Sequence, residues 1–215
     1  MNKQILQQDL EKASKSLLDS LTEQAATQEK FANAVQITNT NTSILKTMKF
    51  LQYHHVGSCK TPCADCPPRD KRVFLYGEHI KLPAHPHCDC KYSNVEIKPL
   101  GTISKMGLLS PDVFLKAHGR LPDYYILKAI AKEVYGWNRS KNTLSGKAPN
   151  KMIGGDVYRD DNHILPEKEG RIWYECDVDY ESGTRKSDRL YYSNDGLMFY
   201  STDHLEGNVT IYQIK

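Results

Sequence analysis

After Lys151 the chain is cut at short intervals by turn signals: Gly154-Gly155-Asp156, Pro166–Gly170, Glu181-Ser182-Gly183, Asn194-Asp195-Gly196 and Glu206-Gly207-Asn208. Between them lie short segments rich in Val, Ile, Tyr and Trp, which predict closely spaced strands. Two helices are predicted just before. Ser110 stands as an N-cap with Pro111 at the first helical position, and Gly119 ends that helix; a second runs from about Lys128 to Tyr135 and stops at Gly136. Helices first and strands after argue for an α+β domain with an antiparallel sheet, over residues 108–215.

The upstream half has a different texture. Residues 1–45 form an amphipathic helical segment, with Leu6, Leu10, Ala13, Leu17, Leu21, Phe31, Ala34 and Val35 at helical spacing. Residues 46–100 are a Cys/His-rich module, and Lys98–Lys105 read as a linker. No apolar run approaches a membrane span, mean hydropathy is −0.60, and the N-terminus lacks a Sec-type signal core, so the expectation is a protein made in the cytoplasm with no membrane partner. The net charge of +3 lies upstream: residues 1–107 carry 14 basic against 10 acidic side chains, residues 108–215 carry 15 against 16. Attraction for a polyanion in the second half therefore has to come from a local cluster of cations.

Such a cluster is written into the strands. In Ile172–Tyr180, alternation sends Tyr174, Cys176, Val178 and Tyr180 to one face, the core, and Trp173, Glu175, Asp177 and Asp179 to the other. A row of carboxylates repels itself unless compensated. The next segment, Thr184–Tyr192, places Arg185 and Arg189 on one face; pairing through the Glu181-Ser182-Gly183 turn sets both beside Glu175 and Asp177. Leu197–His204 follows and ends on a histidine. A carboxylate to take a proton from a ribose 2′-OH, a histidine to protonate a leaving oxygen and arginines to meet phosphoryl charge amount to metal-free phosphodiester chemistry. The competing reading is a solvated cross-strand ion ladder. Trp137 and Trp173 read as core residues, Tyr191 and Tyr192 as sheet residues, and Cys176 as a buried small hydrophobe.

From Phe114 onward the chain resembles the barnase-like, guanyl-specific microbial ribonuclease family. The resemblance lies in Leu121–Lys128, Gly136-Trp137, Ile153–Asp156, Gly170–Asp177, Ser187-Asp188-Arg189 and Ser201–His204. It implies an endoribonuclease that needs no catalytic cofactor. Glu175 would be the general base and His204 the general acid. Lys128, Arg185 and Arg189 would bind the scissile phosphate, Asp177 would hold the arginines, and Asp156 would orient Lys128. The family's guanine-reading loop falls at Arg159, Asp160, Asp161 and Asn162, the expected substrate-binding residues. Here the chain departs from the family: Asn162 replaces an acid, Asp160 an asparagine and Asp161 a cation, and Leu205 replaces an aromatic. The catalytic set is complete; the base-reading set is not.

Cys59-x₃-Cys63-x₂-Cys66 and His85-Pro86-His87-Cys88-Asp89-Cys90 have the spacing of a structural zinc site, with Cys63, Cys66, Cys88 and Cys90 as expected ligands and Cys59, His85 or His87 as substitutes. Free thiols and disulfides are the alternatives. Residues 20–97 also resemble the phage Mu F-type minor head proteins. Joined to a ribonuclease, such a segment implies a prophage-linked polymorphic toxin that leaves the cell by a phage-like or specialised secretion route and acts in a target cell. Its partners would be RNA, a barstar-like immunity protein and capsid or secretion machinery. A capsid-assembly protein whose ribonuclease-like half is inactive and binds a partner is the other reading.

Overall fold

The computed structural model describes residues 48–56, 64–206 and 209–215. The amphipathic segment expected over 1–45, and Cys59 and Cys63, lie outside the described residues. The described chain falls in one compact unit, Leu45–Lys215. No helix among the described residues is long and apolar enough to cross a membrane.

Ten strands and three α-helices are described. In chain order they are β1 (Phe50–His54), β2 (Val73–Leu75), β3 (Lys91–Asn94), β4 (Glu96–Lys98), α1 (Pro111–His118), β5 (Tyr125–Ile126), α2 (Lys128–Glu133), α3 (Leu144–Lys147), β6 (Met152–Tyr158), β7 (Trp173–Asp177), β8 (Arg189–Ser193), β9 (Met198–Ser201) and β10 (Ile211–Ile214). A seven-stranded sheet runs β4-β10-β9-β8-β7-β6-β5, and a small antiparallel sheet runs β2-β1-β3. The centre of the large sheet is antiparallel; both edges, β4 on β10 and β5 on β6, are parallel. The expected antiparallel sheet therefore forms, with parallel strands added at its rims.

Pro111 opens α1 and Gly119 closes it in the left-handed conformation, φ 67°. Ser110 stands at the N-cap position, but its hydroxyl donates to the buried Asp112 carboxylate and makes no cap to a backbone amide. Asp112 also accepts from the Gly101 amide at 2.7 Å. That bond ties the expected linker to α1, and Glu96–Lys98 adds β4 to the large sheet, so residues 98–105 connect parts of one packed body.

Both faces of the sheet are covered. On one, Cys176, Val178, Leu190, Met198 and Ile214 pack with Ile103 and the partly buried Leu115 and Leu121. On the other, Trp173, Tyr191, Phe199, Leu205 and Ile211 pack with Ile164, Leu165, Phe50 and Val73. The face assigned to the carboxylates is thus half core: Trp173 is inside as expected, and the strands of the Cys/His module cover the apolar part of that face. Phe50 and Val73 of the module are buried in that core, each such side chain contributing roughly 1.5–3 kcal/mol, which ties the module to the sheet.

Gly154 and Gly155, expected as a turn, lie within β6. The register shifts between Gly154, opposite Cys176, and Asp156, opposite Glu175, which makes a β-bulge with Gly155 as the extra residue, φ 95°. A Cβ on Gly154 would come within 2.5 Å of the Cys176 Cβ and 2.6 Å of Tyr125 Cδ1. The two glycines let the strand press onto β7 and then turn Asp156 to the face carrying Glu175.

Candidate active site

Glu175 is central in β7 and 6% exposed. Lys128, the first residue of α2, reaches it with Nζ and makes an ion pair with Oε1. The backbone N–H of Lys128 donates to Asp156 Oδ2 at 3.0 Å, so the bulge in β6 fixes where α2 begins and hence where the lysine projects. Asp156 orients Lys128 through its backbone, not its ammonium.

Arg189 opens β8 opposite Asp177. Its Nη1 donates to the carbonyls of Lys186 (2.7 Å) and Asp188 (2.6 Å) and lies 3.2 Å from Asp177 Oδ1. Its Nε faces Glu175 Oε2 at 4.0 Å, and neither atom has a hydrogen-bond partner among the described residues. Two buried, oppositely charged groups each keep one unmet hydrogen-bonding position, an arrangement suited to a ligand that fills both.

Arg185 is not on β8. The expected hairpin through Glu181-Ser182-Gly183 is replaced by an irregular connection over 178–188, braced by Tyr180, whose hydroxyl donates to Gly183 O at 3.0 Å. From it Arg185 makes a two-pronged contact with Asp177, Nε to Oδ2 and Nη2 to Oδ1, each 2.6 Å, while its guanidinium lies 5.8 Å from the Trp137 ring centre. Burial opposes the charge on Arg185, but the Asp177 bonds outweigh it and raise its pKa above the usual arginine value. Asp177 is 1% exposed and contacts both arginines. Asp179, expected in the same row, turns away: its carboxylate accepts from Ser104 Oγ (2.7 Å) and Lys105 N (3.1 Å).

His204 lies past the end of β9, in a turn with φ 59°, and its Nε2 is 3.8 Å from Glu175 Oε2. The turn is held by Asp203, which accepts from Ser201 Oγ (2.7 Å) and Thr210 N (2.8 Å), and by Ser201 Oγ accepting from Leu205 N at 3.2 Å. Leu205 is 2% exposed and belongs to the core. It fills space inside the protein instead of offering a surface to a base.

The loop expected to read the base divides by burial. Asp160 is buried, φ 49°, and its carboxylate accepts from the amides of Ile164 (3.0 Å) and Leu165 (2.8 Å). Burial pushes its pKa up to about 6 although both amides favour the charged form. Asp160 therefore shapes the loop and is not open to a base. Arg159, Asp161 and Asn162 are not buried in the same way: Asp161 and Asn162 are exposed, and Arg159 Nε is 4.0 Å from Asp161 Oδ2 with both side chains in solvent.

The sequence pattern marks Tyr191 only as a sheet residue. It sits opposite Glu175 in the β7–β8 ladder, against Tyr158, with ring centres 4.6 Å apart. Its hydroxyl is buried without a hydrogen-bond partner among the described residues, and burial together with Tyr158 and Glu175 raises its pKa, so it stays a donor beside the carboxylate. Strand register is the signal that would have found it. Burial likewise raises the Cys176 pKa, in line with a packing role.

Of the expected metal ligands, Cys66 and Cys88 converge, with His85 as the third member; these ligand atoms all lie within 4.8 Å of one another. Cys90 Sγ is 3.5 Å from His55 Nδ1. Cys66, Cys88 and Cys90 are not disulfide-bonded.

Residues 115–212 match the family model described as ribonuclease. Over 91 residues the chain is 47% identical to a ribonuclease of Heyndrickxia coagulans, covering 42% of this chain and 83% of that protein. It is equally similar to ribonucleases of Bacillus intermedius and Bacillus pumilus, spanning 56% of each. With its acidic, basic and histidine side chains gathered around Glu175 and a relative of this identity covered over most of its length, the chain belongs to the ribonuclease family and is an RNA-cleaving enzyme.

Proposed function

We propose that the enzyme cleaves RNA by transesterification on the face around Glu175, with no step routed through a metal. Glu175 takes the proton of the ribose 2′-OH as the 2′-oxygen attacks phosphorus. The bond to the 5′-oxygen breaks, and His204 Nε2 gives that oxygen its proton. The products are a 2′,3′-cyclic phosphate and a free 5′-OH; water then opens the cyclic phosphate with the two residues exchanging roles. Arg189 and Arg185, held by Asp177, meet the charge on the non-bridging oxygens, and Lys128 exchanges its ion pair with Glu175 for the phosphate.

The observation that carries this reading is the setting of Glu175: one carboxylate oxygen on Lys128, the other facing both Arg189 Nε and His204 Nε2 and hydrogen-bonded to neither. A mere ion ladder would close those gaps. The same observation weighs against an inactive, partner-binding ribonuclease fold.

Base reading rests on backbone groups of 159–163 and on the exposed Arg159, Asp161 and Asn162, shaped from inside by Asp160. An enzyme of this kind endangers its producer. The reading therefore includes a small acidic, barstar-type inhibitor over Lys128, Arg185, Arg189 and His204, and a toxin role with the phage-like segment serving delivery. Cleavage of RNA in excess EDTA tests the chemistry. Wild type is expected to cut, and Glu175→Ala and His204→Ala to lose at least about 100-fold in rate. Abolition of wild-type cleavage by EDTA in a protein that circular dichroism shows folded, or full activity in either variant, overturns it.

A further inference from the structure

The proposed reaction leaves the Cys/His group unused, and that group lies at the far end of β1. Cys66 is fully buried; its Sγ is 3.2 Å from His85 Nε2 and 4.0 Å from Cys88 Sγ. A tetrahedral zinc ion spaces two thiolate sulphurs about 3.8 Å apart, and a sulphur and an imidazole nitrogen about 3.6 Å apart. The distances here fall on either side of those values. His85 Nδ1 lies 2.9 Å from Pro86 O. A carbonyl accepts only, so Nδ1 carries the proton and the Nε2 lone pair is aimed at the sulphurs, the orientation that outer contacts impose on metal-binding histidines.

A second observation is independent of this spacing. Tyr53 is 1% exposed, and its hydroxyl makes no hydrogen bond of ordinary geometry among the described residues; the polar groups it faces are the Cys66 and Cys90 thiols, against which the ring packs. A cysteine bound to a cation is held as the thiolate, an acceptor strong enough to satisfy that hydroxyl. Cys90, 8% exposed, packs in the same cluster, with His55 Nδ1 at 3.5 Å.

We propose that Cys66, His85 and Cys88, with Cys90 as fourth ligand, bind one zinc-type cation, and that the bound ion braces the two loops of the nuclease face from behind. β1 is the connection. Tyr53 stands at the Cys/His centre. Three residues back, Phe50 meets Phe199 edge-on with ring centres 5.1 Å apart, and between them Gln52 Nε2 donates to Val209 O at 3.2 Å, beyond the His204 turn. Its neighbour β2 donates from Val73 N to Ile164 O at 2.7 Å, in the loop that Asp160 shapes. A cation that fixes the Tyr53 end of β1 therefore acts on the loop of Asp160–Leu165 and on the turn of Ser201–Leu205. Neither part of the proposal depends on how RNA is cleaved.

The full chain, stripped by chelator under reductant, is titrated with Co²⁺. The expected result is one ion per chain, with thiolate-to-cobalt charge-transfer absorption and the intense visible bands of a tetrahedral site, and displacement by Zn²⁺. Cys88→Ser and His85→Asn, both at half-exposed positions, should each weaken binding tenfold or more. Zn²⁺ should also slow hydrogen exchange at the Leu165 and Leu205 amides by roughly tenfold. A spectrum without the thiolate band, an octahedral spectrum, or equal titration of wild type and Cys88→Ser overturns the site. Binding that leaves exchange at Leu165 and Leu205 unchanged overturns the brace.

Discussion

At Glu175 three demands meet: burial to strengthen electrostatics, a cation to pair with the buried carboxylate, and an unmet oxygen to receive a proton. Lys128 and Arg189 supply the second, and the 4.0 Å gap to Arg189 Nε preserves the third. The division of labour between Glu175 and His204 predicts a split by leaving group. His204→Ala should slow cleavage of RNA, whose 5′-alkoxide needs a proton, by about 100- to 10,000-fold, and slow an activated aryl ester far less. Rates on the two substrate types measure this, and equal losses would show that His204 is not the acid. Asp160 gives a stability prediction. Its folded pKa, about 6, lies above the ordinary carboxyl value of 3.8, so between those values the folded protein holds the extra proton. This group's contribution to stability is therefore greatest at low pH and falls as pH rises through 6. Urea unfolding of wild type and Asp160→Asn should show wild type gaining on the variant as pH drops from 7 to 4; a loss over that range would contradict the placement.

Among the elements, the bulge in β6 connects sequence to site most directly. Gly154→Ala would drive a Cβ into Cys176 and Tyr125, and the expected cost is about 1–3 kcal/mol in urea unfolding. A lower kcat/KM should accompany it, because Asp156 and the start of α2 move with the strand; a neutral variant would show that the bulge is not under compression. The two glycines were visible in sequence but read as a turn, since a Gly pair signals positive φ without saying whether a strand continues past it. Alternation in Ile172–Tyr180 correctly gave Cys176 to the core and Glu175 and Asp177 to the opposite face. It failed at Asp179, where the strand has ended. Arg185 was legible as a partner of Asp177 but not as a loop residue, because a plausible turn at 181–183 implied a longer hairpin than the chain makes. His85 was legible only as a substitute ligand; its choice over His87, like the place of Tyr191 beside Glu175, depends on register and loop path, which no local pattern carries.

For the whole molecule, the sequence suggested a Cys/His module separated by a linker from a ribonuclease half. The fold joins them, because Phe50, Val73 and Val95 bury themselves in the core that lies behind Glu175. Phe50→Ala should therefore destabilise the ribonuclease itself, by about 3–5 kcal/mol, when loss of RNA cleavage is followed against urea; an unshifted midpoint would mean the two halves fold separately. The central claim, that Glu175 and His204 cleave RNA through its own 2′-oxygen, is tested most directly by ³¹P NMR of a dinucleotide phosphodiester incubated with the enzyme in EDTA. A 2′,3′-cyclic phosphate is expected to rise first and then be consumed to a 3′-phosphate, with neither species formed by Glu175→Ala. A 5′-phosphate product, or a 3′-phosphate that appears without the cyclic species, would contradict it.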